Sequence, residues 1–139
     1  MNYRLATLAD CALLARYNHE LIQDEGHRNV MNICALEERM RLWLATDYEA
    51  ILFSQNRETV AYALYREEED EIYMRHMFVV RHRRRLGLGR EALAILRGQI
   101  WPAHKRLTVE VLARNAPGVA FWRNVGYRDY SLKLEIPPP

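Results

Sequence analysis

The sequence predicts a mixed α/β fold: one sheet of about six strands, mostly antiparallel with one parallel pair, flanked by about four helices. Three observations lead there. Apolar residues recur at helical spacing in four segments and at strand spacing in six others. Three strand segments follow one another through residues 48–80 with only short polar turns between them, so they pair antiparallel. A helical segment then separates the fourth strand from the fifth, and a crossover of that kind joins parallel neighbours. At 139 residues the chain suits one domain, residues 1–136, with Pro137, Pro138 and Pro139 as a frayed tail.

Residues 3–6 form the first strand. Thr7-Leu8-Ala9-Asp10 reads as a capping box, an acid three residues after a hydroxyl. The helix behind it runs to about Ile22, with Leu13, Leu14, Tyr17 and Leu21 inward. Residues 23–32 break the period and form a polar loop. A second helix covers 35–45, with Leu36, Met40, Trp43 and Leu44 inward. Strands follow at 48–54, 59–66 and 72–80, joined by turns at 55–58 and 67–70. The third helix starts at Gly87-Leu88-Gly89, places Leu88, Ala92, Leu96 and Ile100 on one face, and stops near Trp101 before Pro102. Residues 106–112 make a fifth strand with Leu107, Val109 and Val111 on one side. Asn115 caps a short helix through Asn124, with Gly126 as its stop. Residues 127–136 are the last strand, with Leu132, Leu134 and Ile136 alternating.

Composition narrows the function. Net charge is only +2, so the basic run Arg81-His82-Arg83-Arg84-Arg85 is local, which disfavours a nucleic-acid partner. No apolar stretch approaches the ~20 residues of a membrane span. The N-terminus has no apolar run of the signal-peptide kind. Cys11 and Cys34 stand alone, without CxxC spacing, as expected of a reducing, cytoplasmic compartment. His19, Glu20, Asp24 and His27 match no ligand spacing, and no metal is expected.

Chemistry concentrates where the fourth strand meets the third helix. Strand, glycine loop, helix is a backbone route to an anion site. The first helical N–H groups lack internal partners, and the dipole adds about +0.5 charge there. A Walker loop is excluded, because Arg90-Glu91 stands where Lys-Ser/Thr is needed. A dinucleotide fingerprint is closer: Gly87, Gly89 and Ala92 fit G-x-G-x-x-A, with Glu110 roughly twenty residues on. Six mostly basic residues intervene before the first glycine, however, and no second mononucleotide half is found. The plain alternative is a helix cap with a solvated basic turn.

The third reading comes from Arg84-Arg85-Leu86-Gly87-Leu88-Gly89, which resembles the Gln/Arg-x-x-Gly-x-Gly/Ala pyrophosphate loop of the GNAT superfamily of acetyl-CoA-dependent N-acetyltransferases. Asn115-Ala116-Pro117-Gly118-Val119-Ala120-Phe121-Trp122-Arg123-Asn124-Val125-Gly126-Tyr127 is similar to that family's second signature, with Gly118 where a small Ala usually sits. Element order agrees over nearly the whole chain. The resemblance implies that the parallel strands splay and hold the acetyl thioester between them. It implies that Met77, Phe78 and Val79 pair with the pantetheine arm. It implies that Arg84, Arg85, Leu86, Gly87, Leu88, Gly89 and Arg90 hold the diphosphate, and that Asn115 contacts the cofactor or simply caps its helix.

Transfer of acetyl from sulfur to an amine calls for a base, an oxyanion donor and a proton for the thiolate. The base candidates are Glu71, His76 and Glu110; the oxyanion candidate is the Val79 amide. The family's acid, a tyrosine, is replaced here by Trp122, whose indole N–H cannot serve as an acid near neutrality. Tyr127, Tyr130, Tyr73 or solvent remain as substitutes, and Trp122 also reads as core packing. A small-molecule or protein amine is the expected acceptor; the acids of loops 23–32 and 67–70 weakly suit a cationic one. Too few residues follow Gly126 for a closing hairpin, so a homodimer through the C-terminal strand is expected. The rival readings are an inert, CoA-binding regulatory member of the family, a dinucleotide-binding module and a nucleic-acid-binding module.

Overall fold

A computed structural model describes every residue from Met1 to Pro139. Its strands are β1 (Asn2–Leu5), β2 (Tyr48–Gln55), β3 (Glu58–Glu67), β4 (Glu71–Val79) and β5 (Arg106–Val109). Its α-helices are α1 (Cys11–Glu25), α2 (Ile33–Ala45), α3 (Leu88–Ile95, continued by a π turn Leu96–Ile100) and α4 (Ala116–Asn124). One sheet runs in the order β1-β2-β3-β4-β5, antiparallel throughout except for the parallel pair β4–β5.

Local chemistry accounts for the boundaries. Thr7 N donates to Asp10 Oδ2 at 2.7 Å, the acidic half of the box, while Asp10 N bonds the Thr7 carbonyl rather than its hydroxyl. The box therefore closes one 3-10 turn ahead of α1. That helix passes Ile22 and ends at Glu25, because Gly26 takes the left-handed conformation (φ 71°) that stops it. Asn32 caps α2, accepting from Ala35 N at 2.8 Å, so the helix begins at Ile33, two residues before the sequence-predicted start. Asn56 and Arg57 both have positive φ, which makes a two-residue hairpin turn whose twist suits β2 and β3.

Tyr62 and Tyr65 are three positions apart on β3 and therefore face opposite sides. Tyr62 joins Tyr17 and Phe78 beneath α1. Tyr65 packs edge-on against Trp101 at the end of the third helix, 5.3 Å between centroids. Both faces are thereby filled from one continuous core. Where Leu64 pairs with His76 and Tyr65 with Met74, Arg75 is skipped. This bulge frees Arg75 from the ladder and re-aims it.

The last predicted strand is absent, so the sheet has five strands and not six. Residues 127–136 join no strand, although Arg28 bonds Glu135 and Arg123 bonds Asp129, and Leu132, Leu134 and Ile136 are 84%, 86% and 97% exposed. The alternation is present, but a strand exists only where a neighbour accepts its main chain. The neighbour is short: β5 ends at Val109, not Leu112, and a cavity of about 1710 Å³ separates it from residues 126–133. No residue beyond Trp101 is buried. No helix is long and apolar enough to cross a membrane.

Candidate active site

β4 pairs with β3 along its length, but with β5 only through Glu71, Ile72, Tyr73 and Met74. Beyond Met74 the β5-facing edge of β4 is bare. Val80 N donates to Val60 O at 2.9 Å, so alternation turns the N–H groups of Met77 and Val79 toward the bare edge. A wedge-shaped gap opens there, with unpaired main chain on its wall. The Val79 carbonyl is taken by Arg84 Nε at 2.8 Å, which leaves its amide as the free donor.

The chain then turns through Arg81–Arg83 into the glycine loop. Arg85 and Gly87 have φ of 63° and 77°, and Gly87 N-caps α3. The first α3 amides, Leu88, Gly89 and Arg90, precede the first intrahelical donor, Glu91 N to Gly87 O at 3.0 Å. They form an anion cradle next to the bare edge. Gly89 packs closely: a Cβ there would lie 3.3 Å from the Phe121 ring, which would have to give by a few tenths of an ångström, and 3.7 Å from Val79 Cγ2.

The basic run contributes less charge than its composition suggests. Arg81 and Arg84 both bond Asp24, at 2.9 and 2.7 Å, and Arg81 also reaches Glu20. His82 and Arg83 bond Glu58, both at 3.0 Å. These residues brace the loop against α1 and β3. Arg85 and Arg90 stay exposed, with no carboxylate partner.

The sequence-predicted base candidates fall in different environments. His76 is buried, 9% exposed, with Nδ1 3.0 Å from Tyr62 Oη. Desolvation, and then the charges of Arg39, Arg75 and His27, push its pKa down to about 3. It is neutral and a weak base near pH 7. Glu71 Oε2 accepts from Thr108 Oγ1 at 2.6 Å, which ties it into the paired base of the wedge. Glu110 is exposed, one residue beyond β5, close enough to Tyr73 that burial and the carboxylate together raise that phenol to about 12.

Glu25 was not legible as a candidate, because residues 23–32 read as loop. In the structure it is the last residue of α1, half-buried, with Oε1 3.4 Å from His27 Nε2. Desolvation, and then the neighbouring Asp24 charge, lift its pKa to about 7. Its charge reaches Tyr62, whose β4 partner is Phe78, next to Val79. The one available sequence signal was Glu-Gly, a helix end at its C-terminal glycine.

On α4, Trp122 stacks edge-on against Phe121 and Tyr127, at 5.0 and 5.2 Å. The Tyr127 hydroxyl is buried without a hydrogen-bond partner, and burial raises its pKa to about 12. Asn115 accepts from Gly118 N at 3.1 Å and so caps α4. A Cβ at Gly118 would collide with that amide, which explains the glycine where a small alanine was expected.

A sequence model described as an acetyltransferase (GNAT) domain matches residues 13–135. No curated protein matches the chain by sequence. Among solved structures, a mutant of the BH1408 protein of Bacillus halodurans superposes with a TM-score of 0.83 at 20% identity, covering 100% of both chains. A predicted acetyltransferase of Clostridium acetobutylicum, solved with acetyl-CoA, gives 0.75 at 18% identity, covering 98% of this chain and 95% of that one. An aminoglycoside 6′-N-acetyltransferase of Acinetobacter haemolyticus gives 0.76 at 13% identity, covering 100% and 99%. At such identities these likenesses speak to the fold.

Proposed function

The chain belongs to the GNAT acetyltransferase family, and from that premise we propose that it moves the acetyl group of acetyl-CoA to a primary amine by direct attack in a ternary complex. One observation carries the reading: the bare edge of β4 at Met77 and Val79 runs straight into the unpaired amides of Leu88, Gly89 and Arg90. A strand edge for an extended amide-bearing arm, continuous with a cradle for phosphate, is the shape a pantetheine diphosphate fits.

Acetyl-CoA supplies the activated thioester. Arg85, Leu86, Gly87, Leu88, Gly89 and Arg90 bind the diphosphate through main-chain amides, with Arg85 and Arg90 adding charge. Arg84, fixed by Asp24 and the Val79 carbonyl, holds the loop to the strand. The main chain of Met77 and Val79 aligns the arm, and the Val79 N–H donates to the oxygen that gains charge. Glu25 takes the proton of the incoming ammonium; a carboxylate whose pKa is near 7 is matched to that task. The C–N bond forms, the C–S bond breaks, and the second proton shed by the nitrogen reaches the thiolate through the unpartnered Tyr127 hydroxyl or through solvent. Glu71, His76 and Glu110 then act as lining and positioning groups.

The inert-member reading drew on Trp122 replacing the family's tyrosine. The buried, unpartnered Tyr127 hydroxyl against that indole favours the active one. Thiol release from acetyl-CoA over a panel of amines tests the proposal. CoA binding with no thiol release from any amine overturns catalysis. Calorimetry with CoA giving no heat overturns the cofactor as well.

A further inference from the structure

We propose that the acceptor amine carries a carboxylate, and that Arg39 and Arg75 receive it; this rests on the transferase reading above. Two arginines near the wedge have no carboxylate partner. Three arginines are half-buried: Arg39, Arg66 and Arg83. Arg66 pairs with Glu68 and Arg83 with Glu58, at 2.9 and 3.0 Å. Arg39 pairs with nothing negative. Its Nη2 bonds the Asn18 amide oxygen at 3.2 Å, and its buried Nε has no partner at all.

Arg75 joins it from β4. The bulge that frees Arg75 from the ladder sends its guanidinium to Trp43, 4.7 Å from the ring centroid; Arg39 lies 4.3 Å from the same ring. The only other polar contact of Arg75 is a long one, Nη1 to Tyr48 Oη at 3.4 Å. Two like charges meet at one indole with most of their five N–H donors each unspent. Burial, and then the Arg75 charge, lower the Arg39 pKa, and both arginines oppose protonation of His76. Arg75 is exposed and Arg39 half-buried, so the unpaired charge weighs mainly on Arg39, and an anion between the two relieves it. Planar forks backed by an aromatic face are suited to the two coplanar oxygens of a carboxylate.

Position decides whose carboxylate it is. Arg75 is the first β4 residue past the register shared with β5, at the base of the wedge. Val79 and the glycine loop lie at its mouth, about 13 Å farther along the strand. The diphosphate belongs to the glycine loop and the thioester carbonyl to Val79, so the arginine pair lies deeper along β4, where the far end of an acceptor rests. Three of the loop acids that suited a cationic acceptor are already engaged: Asp24 with Arg81 and Arg84, Glu67 with Lys105, Glu68 with Arg66.

The test is thiol release from acetyl-CoA with amino acids of increasing amine-to-carboxylate separation against their carboxamides, with phosphoethanolamine as the phosphate arm. At least one acid should exceed its amide in kcat/KM by roughly tenfold to a hundredfold, the worth of a charge-assisted pair. Arg75→Gln and Arg39→Gln should each shrink that gap, mainly through KM, and leave CoA affinity unchanged. Calorimetry with the N-acetylated products, without CoA, should show the same preference for acid over amide. Amides acetylated as well as acids, or phosphoethanolamine preferred over every acid, would overturn this proposal while transferase activity stands. A gap undiminished in both variants would do the same. No turnover of any amine by CoA-bound protein would overturn both readings.

Discussion

Replacing Glu25 by Gln should move activity and stability in opposite directions, and the structure fixes both signs. The folded carboxyl holds its proton up to about pH 7, against an ordinary value of 4.5. Below 4.5 the group is protonated folded or unfolded and costs nothing. As pH rises from 4.5 to about 7 the unfolded chain releases the proton first, so stability is lost across that window and stays lost above it. At about 1.4 kcal/mol per pH unit the full effect is roughly 3 kcal/mol. With 32% of the side chain exposed, solvent screening reduces it to about 1–2 kcal/mol. Glu25→Gln removes the buried charge and keeps the shape. At pH 8 the variant should therefore be more stable, by about 3–6 °C in Tm for a chain of this size. Activity should fall by roughly 10²–10⁴ in kcat, as for a lost general base. The wild-type pH profile of kcat/KM should rise through about 7, and the variant should lack that limb. Thermal unfolding at pH 4 and pH 8 beside a thiol-release pH series reads both. A variant that keeps the limb near 7, or that gains no stability at pH 8, would refute the assignment.

Three further outcomes are expected. Gly87→Ala meets no atom within 4 Å but must hold φ 77°; the strain of about 1–2 kcal/mol should weaken CoA binding roughly tenfold by calorimetry, and unchanged affinity would count against the loop. Tyr127→Phe should lower kcat by about one to two orders of magnitude with CoA affinity intact, and should stabilise the fold slightly by removing a buried hydroxyl without a partner. The exposed row Leu132, Leu134 and Ile136 should find cover against a second copy; sedimentation at rising concentration should reveal a dimer that Leu134→Lys disperses, and a monomer at every concentration would refute it.

The glycine loop was legible because its determinants are local. Helix periodicity from Leu88, two glycines and a preceding strand define the cradle without reference to the rest of the chain. The basic run misled, because composition counts charges and not partners: Asp24 and Glu58 are far away in sequence and adjacent in space. His76 misled for a related reason. Its ordinary pKa fits a base, but β4 alternation turns it into the core against Tyr62. The final strand failed because alternation records a preference for a pleated surface, not the presence of a neighbour.

The sequence alone determined the element order as far as α4, the parallel crossover and the glycine turn that opens α3, since each follows from spacing along the chain. Only the tertiary structure decided where β4 and β5 part, desolvated the Glu25 carboxyl and brought Arg39 and Arg75 to one indole. Those outcomes depend on desolvation and on distances between residues remote in sequence, and neither quantity exists until the helices close over the sheet.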